Sequence, residues 1–274
     1  MVENEIVPGG GVETGLTILL RGPACPIGCT MCDLHRTALP HACGPGDVPA
    51  QIRSAIDGLP AGVSIPDLRF IKLYNGGNFL DAAAVPPVDY QTIASMVNPI
   101  GRVIFENHPR VGSRRLATVA GLLNRFEVAI GLESVQPGLL RRLNKRTTRD
   151  EIDRYAARVQ RLGGTVRIFL IIGAPRLSID ESMRWAMLSV RHAVAIGASH
   201  VSLVPARTGH GWGGDAVRLP DVRPADALRL LRRLHRRHAG EPVAITVDTW
   251  DMDRGDPAVG EIEAMQGGKH QAGT

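Results

Sequence analysis

Cys25-Pro26-Ile27-Gly28-Cys29-Thr30-Met31-Cys32 places three of the chain's four cysteines within eight residues, spaced C-x3-C-x2-C. Thiolates are soft ligands that suit iron–sulfur clusters, and a cubane normally takes four of them. Three at this spacing point to a [4Fe–4S] cluster on Cys25, Cys29 and Cys32, with one iron left open to a substrate or cofactor. Just upstream, Leu16-Thr17-Ile18-Leu19-Leu20 reads as a buried strand, so the loop leaves the carboxyl end of a first strand. Two other readings of these cysteines stay open. A zinc site would add His35, His41 or Cys43 as a further ligand. A disulfide would pair two of the three, although nothing marks the chain as secreted.

Outward from that loop, apolar runs alternate with amphipathic segments. Residues 50–59 carry Ile52 and Ile56 on one helical face. A second strand over 68–74 ends in Asn75-Gly76-Gly77-Asn78, where glycines let the backbone approach a ligand closely. After a helix over 90–97, a third strand over 102–106 ends in Glu106-Asn107-His108-Pro109. A carboxylate at a strand's carboxyl end faces the mouth of an α/β barrel. A helix is expected over 111–124, then a fourth strand over 127–132 followed by Glu133-Ser134. Thr148-Arg149-Asp150-Glu151 is a capping box opening a helix with Ile152, Tyr155, Val159 and Leu162 inward. The fifth strand, 165–172, is continuously apolar apart from Arg167, as suits a parallel strand buried on both faces. Arg167 points either into the barrel or out towards a helix. A second capping box, Ser178 to Glu181, opens a helix reaching 196. The sixth strand, 200–204, leads into Thr208-Gly209-His210-Gly211-Trp212-Gly213-Gly214, a lid-like loop. The helix over 224–237 turns Leu228, Leu231 and Leu234 inward and a row of arginines outward. A short strand over 243–247 closes the pattern. The fold expected is therefore α/β, a partial (β/α)6 TIM-like barrel with parallel strands. Residues 1–14 are expected as a flexible N-terminus, 15–254 as the barrel domain and 255–274 as a disordered tail.

The cysteine loop after a first strand resembles the radical S-adenosylmethionine (SAM) superfamily. The resemblance implies that SAM chelates the fourth iron through its amino and carboxylate groups. Asn75-Gly76-Gly77-Asn78 matches the turn whose backbone holds the SAM amino group, with Asn78 where an acidic or hydroxyl residue is usual. Glu106, shortly before a Pro, is similar to a SAM-contacting Glu of the coproporphyrinogen-dehydrogenase branch. Gly131-Leu132-Glu133-Ser134, then Leu140-Arg141-Arg142-Leu143-Asn144-Lys145, resembles the signature of the elongator-type and methylthiotransferase-type members. Twelve residues separate Glu133 from Lys145, as in that signature. The match implies that Glu133 helps bind SAM and that Lys145 pairs with its carboxylate. Met31 stands where the family often has an aromatic residue beside the adenine. Phe169 stands where some relatives carry an acidic SAM contact. Tyr74 to Asp81 and Asp248-Thr249-Trp250-Asp251 look similar to the archaeosine-forming branch, which acts on a lysine-bearing deazaguanine in tRNA.

The 274 residues suffice for one large α/β domain. The formal charge of +5 is dominated by Arg and is read first as an arginine-rich background rather than an RNA footprint. No apolar run reaches membrane-spanning length. The acidic N-terminus lacks a secretory h-region, so a cytoplasmic location is expected, with thiols kept reduced. The expectation is an oxygen-sensitive radical SAM enzyme that cleaves SAM to a 5′-deoxyadenosyl radical, which abstracts hydrogen from a small molecule, such as one of secondary metabolism. A modified tRNA base is the alternative substrate, and a non-catalytic zinc protein that binds RNA is the alternative of another class. His108, Arg167 and His210 are candidates for the substrate chemistry. A one-electron donor such as flavodoxin or ferredoxin is the expected partner. Only Cys43 remains for any second cluster, which argues against sulfur-inserting enzymes.

Overall fold

The structure, a computed structural model, describes residues 1–206 and 219–268. Eight strands among them form one sheet in chain order. They are β1 (Val2–Ile6), β2 (Val12–Leu20), β3 (Phe70–Asn75), β4 (Arg102–Glu106), β5 (Phe126–Glu133), β6 (Thr165–Ile172), β7 (His200–Pro205) and β8 (Ala244–Val247). From β2 to β8 every neighbour is parallel. Helices α1 (Asp47–Asp57), α2 (Tyr90–Val97), α3 (Leu116–Ala120), α4 (Leu139–Arg142), α5 (Arg149–Arg161), α6 (Ile179–Ala195), α7 (Pro224–Arg237) and α8 (Pro257–Met265) fill the connections and the C-terminal end. The sheet curls into a nearly closed barrel of the TIM-like kind, as the β-α alternation predicts.

Strand residues alternate between two environments. Ile71 and Leu73 of β3, Val128 and Ile130 of β5, and Ile168 and Leu170 of β6 pack outward in one continuous core with Ile52, Ile93, Val159 and Leu231 of the helices. Thr148 and Ser178 cap α5 and α6 as the sequence predicts, each accepting from the backbone N–H three residues on. The expected helix over 111–124 shrinks to α3. Gly112 takes φ 59 against Leu80, where a Cβ would lie 1.7 Å from the Leu80 carbonyl oxygen, and a helix cannot start through that contact.

Two terminal expectations are corrected. The N-terminus forms β1, antiparallel to β2 with Glu3 opposite Gly15 and Glu5 opposite Glu13. The first half of the expected tail forms α8, capped by Asp256. Just past it, Gln266 spans the space between β8 and β1. Its side-chain amide donates to the Val247 carbonyl at 3.0 Å, and its own carbonyl accepts from the Ile6 N–H at 3.2 Å.

The floor of the barrel, at the amino ends of the parallel strands, is a buried ionic network. Lys72 lies 2.8 Å from Glu3 and also contacts Glu5. Arg167 donates to Glu5 at 2.8 Å and to Glu127 at 2.5 Å. His200 donates or accepts at 3.0 Å with the Thr246 hydroxyl. Burial and the neighbouring Arg167 push the His200 imidazole down to about 3, so it sits neutral in the network. Burial alone would raise Glu5, but Arg167 and Lys72 hold it well below the usual carboxylate range.

Candidate active site

The parallel strands put their carboxyl ends, and every loop that leaves them, at one mouth. The cysteine loop leaves β2 and lies across this mouth. It is fixed to the segment around α4 by three hydrogen bonds: Thr30 N–H to Leu143 O at 2.9 Å, Thr30 Oγ1 to Arg142 O at 3.3 Å, and Asn144 Nδ2 to Gly28 O at 2.8 Å. Met31 packs there with Leu139, Leu143 and Ala174 in a small apolar cluster separate from the main core. The sequence signature of residues 131–145 and the cysteine motif are thus brought into direct contact.

One cavity is lined by Cys25, Cys29, Cys32 and Met31, by the turn from Asn75 to Asn78, and by Glu106, His108, Glu133 and Lys145. All the cofactor residues inferred from the sequence meet in it. The turn after β3 is held by Asn75 Oδ1, which accepts from Gly77 N–H at 3.3 Å. Gly76 lies against the cysteine loop, where a Cβ would come 3.3 Å from the Leu34 Cβ. At the end of β5 the ladder slips between Gly131 and Glu133, and Glu133 takes the left-handed conformation at φ 61. Such a bulge re-aims a side chain, and a left-handed non-glycine residue persists only where its surroundings over-determine it. Glu133 accepts from Lys145 Nζ at 2.5 Å. Lys145 itself is carried on a strap in which both neighbours, Asn144 and Arg146, also have positive φ.

Burial raises the Glu106 carboxyl to about 7, with Lys145 opposing the rise and Glu133 adding to it. Burial lowers Lys145, but Glu133 outweighs it, and the ammonium stays charged. Burial pushes the Cys29 thiol up to about 11, and Cys32 is raised for the same reason. A bound metal reverses that trend by ligating the thiolates. Cys25, Cys29 and Cys32 border the cavity without gathering at one point. Among the described residues no three His, Cys, Asp or Glu side chains are arranged to hold a single metal ion. Three thiols of one loop border one cavity, and a cubane takes one thiolate on each of several irons, so the donor set is of the kind a cluster uses. Cys43, a fourth ligand in the zinc reading, is buried in the main core.

The structure shows where two of the candidates for substrate chemistry lie. Arg167 does point into the barrel, but it lies at the floor, 2% exposed, with its guanidinium held by two glutamates. Phe169, the next inward residue of β6, lines the cavity and meets Tyr74 edge to face at 6.1 Å, so aromatic rings lie between Arg167 and the mouth. His108 lines the cavity, but both of its ring nitrogens have backbone partners. Nε2 is 2.9 Å from Lys145 O, and Nδ1 accepts from Arg110 N–H at 3.2 Å. Burial and Lys145 lower the imidazole to about 4, so it stays neutral and supports the Lys145 strap. His210 and its glycine-rich loop lie outside the described residues.

Asn107 is a site residue that sequence reasoning passed over. Its amide accepts from Leu80 N–H at 3.1 Å and donates to His108 O, Val111 O and the Tyr155 hydroxyl. Its position between Glu106 and His108 at a strand end was the available signal.

Against known proteins, no family model matches this chain. It is 23% identical over 222 residues to the uncharacterized protein MJ0550 of Methanocaldococcus jannaschii, covering 77% of this chain and 60% of that protein. Solved structures superpose over nearly the whole barrel. A queuine lyase from Clostridium spiroforme, bound to SAM and queuine, matches with TM-score 0.59 and 13% identity, covering 91% of this chain and 97% of that one. Streptococcus suis SuiB bound to its precursor peptide SuiA matches with TM-score 0.62 and 12% identity, over 85% of this chain and 49% of SuiB. Coproporphyrinogen III oxidase from Escherichia coli, described as a radical SAM enzyme, matches with TM-score 0.52 and 14% identity, over 83% and 53%. The chain has the radical SAM fold. It spans about half the length of SuiB and of the oxidase, and about three fifths of MJ0550, while the queuine lyase matches it end to end. No helix among the described residues is long and apolar enough to cross a membrane.

Proposed function

We propose that this chain is a radical SAM enzyme acting on a small molecule, with a [4Fe–4S] cluster on Cys25, Cys29 and Cys32 and SAM on the remaining iron. One observation carries the reading. Three thiols, a glycine turn, the Glu106 carboxyl and the Glu133–Lys145 pair come from separate parts of the chain and line a single cavity. When bound, the cluster supplies the electron that cleaves SAM to methionine and a 5′-deoxyadenosyl radical. The chain's own residues bind and orient. Lys145 would neutralise the SAM carboxylate, and Glu106 and Glu133 would accept from its ammonium or ribose hydroxyls. Asn75, Gly76, Gly77 and Asn78 form the turn that would hold its amino group, and Met31, on the same cavity wall, would face its adenine. Phe169 lines the same cavity and would help keep water from the reacting carbon.

The small-molecule reading is supported by a structural match that spans nearly all of both chains, to a protein bound to SAM and queuine. A one-electron donor such as flavodoxin or ferredoxin and a reducing, cytoplasmic setting follow from the same chemistry.

The test is anaerobic reconstitution with iron and sulfide, reduction with dithionite, and assay of 5′-deoxyadenosine from SAM. Product with about four irons per chain is expected, and Cys29→Ala should lose both colour and product. Colourless protein holding zinc and yielding no 5′-deoxyadenosine would overturn the reading in favour of a binding protein.

A further inference from the structure

Asn78 is 2% exposed and sits between two elements of the site. The backbone on either side of it is pinned, by Gly77 N–H to Asn75 Oδ1 at 3.3 Å and by Phe79 N–H to Glu106 O at 3.0 Å. Its own Oδ1 accepts from the His108 backbone N–H at 2.6 Å. That backbone N–H can only donate, so the carbonyl side of the amide must face it. The NH2 side is therefore turned the other way, where it meets Cys25 Sγ at 3.2 Å. An acidic residue here could accept from His108 in the same way but would offer the sulfur no proton.

We infer that Asn78 is a positioning residue for the cluster, donating a hydrogen bond to the Cys25 sulfur and so making the cluster easier to reduce. The inference rests on the cluster reading above. Reduction adds one electron from an external donor and no proton, and the added negative charge spreads onto the ligand sulfurs. A fixed N–H donor stabilises that form more than the oxidised one, and hydrogen bonds to the sulfurs are among the determinants of cluster potential. The amide is fixed because His108 N–H holds its other end. The His108 ring in turn holds Lys145 O at 2.9 Å, so the sulfur contact and the Glu133–Lys145 pair belong to one connected framework.

The experiment compares the reconstituted wild type with Asn78→Leu and Asn78→Asp in a redox titration read by electron paramagnetic resonance, together with iron content and SAM affinity. Asn78→Leu removes the donor at similar volume and should lower the equilibrium constant for reduction roughly tenfold, about 59 mV for one electron. Asn78→Asp turns a carboxylate oxygen to the sulfur and should lower it further. SAM affinity, read on the same samples, reports separately on the turn that Asn78 shares with Gly76 and Gly77. An unmoved potential with about four irons retained overturns the inference, as does a variant that keeps its potential but loses SAM affinity, which would make Asn78 a direct SAM contact. Should the variants fail to hold iron, wild-type protein labelled with side-chain 15N-asparagine answers instead. Pulsed resonance on the reduced cluster should show coupling to an amide nitrogen, and its absence overturns the proposal. A wild type that takes up no iron sinks the parent reading as well, whereas four irons with an unmoved potential sinks this inference alone.

Discussion

Glu106 and Gly131 show how single positions in the mouth are constrained. The Glu106 carboxyl is raised to about 7 by burial, above the roughly 4.3 of an unfolded chain. Its contribution to stability is therefore complete below about pH 4 and is lost as the pH rises towards 7. The charged form is the one that accepts from an ammonium. SAM affinity of the reconstituted protein should climb as the pH passes through about 7, and Glu106→Gln should flatten the climb. A flat wild-type profile in equilibrium binding would remove Glu106 from the cofactor set. Gly131 faces the Glu133–Lys145 pair, and a Cβ there would come 2.3 Å from Glu133 Oε1 and from Lys145 Nζ. Gly131→Ala should push the pair apart and weaken SAM binding about tenfold, the size of one charge-assisted hydrogen bond. Its melting temperature should stay near that of the wild type, since the strand remains paired. Both residue types were legible in the chain because a carboxylate and glycines at strand ends are unusual. That Lys145 pairs with Glu133 directly over Gly131 was not legible, because Lys145 gets there only through the strap of left-handed residues.

Strand β6 carries its chemistry at two depths, and the difference separates structure from function. Arg167 near its start is locked between Glu5 and Glu127. Removing one partner of a buried ionic pair leaves the other uncompensated, at a cost of about 3–5 kcal/mol. Arg167→Ala should lower the urea midpoint accordingly, and any lost activity should follow lost folded protein rather than a change in SAM affinity. A variant of wild-type stability that no longer turned over substrate would return Arg167 to the substrate site. The apolar period of β6 announced a buried parallel strand, but a single Arg within it gave no sign of depth. Depth depends on the two glutamates that face it, one from β5 and one from a terminal strand that reads as a flexible lead-in. α3 is a similar case: its helical pattern runs longer than the helix, because the Gly112 contact with Leu80 stops it.

The gap in the nearly closed barrel, between β1 and β8, is bridged by Gln266. β1 supplies Glu3 and Glu5 to the floor, and Gln266 joins β8 to β1 through both its side chain and its backbone. A chain truncated after Met265 should lose that bridge and fall in stability by about 1–3 kcal/mol, the usual effect of leaving buried backbone groups unpaired. Deleting residues 1–6 should be more damaging, because Lys72 and Arg167 then face the floor without two of their carboxylates. Chemical denaturation of the two truncated chains gives the order, and equal losses would show that the floor charges contribute little.

What the sequence determined by itself was local and periodic. The cysteine spacing, the strand-end glycines and carboxylates, the two capping boxes and the alternation of apolar runs all act over a few residues, and their chemistry survives being read in one dimension. Tertiary structure decided everything that depends on which groups face one another. It put Arg167 at the floor, gave both nitrogens of His108 to the backbone, turned the Asn78 amide towards Cys25 and made staves of segments read as loose ends. Charged residues near a terminus look solvated in a sequence, because burying a charge is unfavourable until its partner is in place. Here the partners lie on strands up to 162 residues away, and only the curled sheet brings them together.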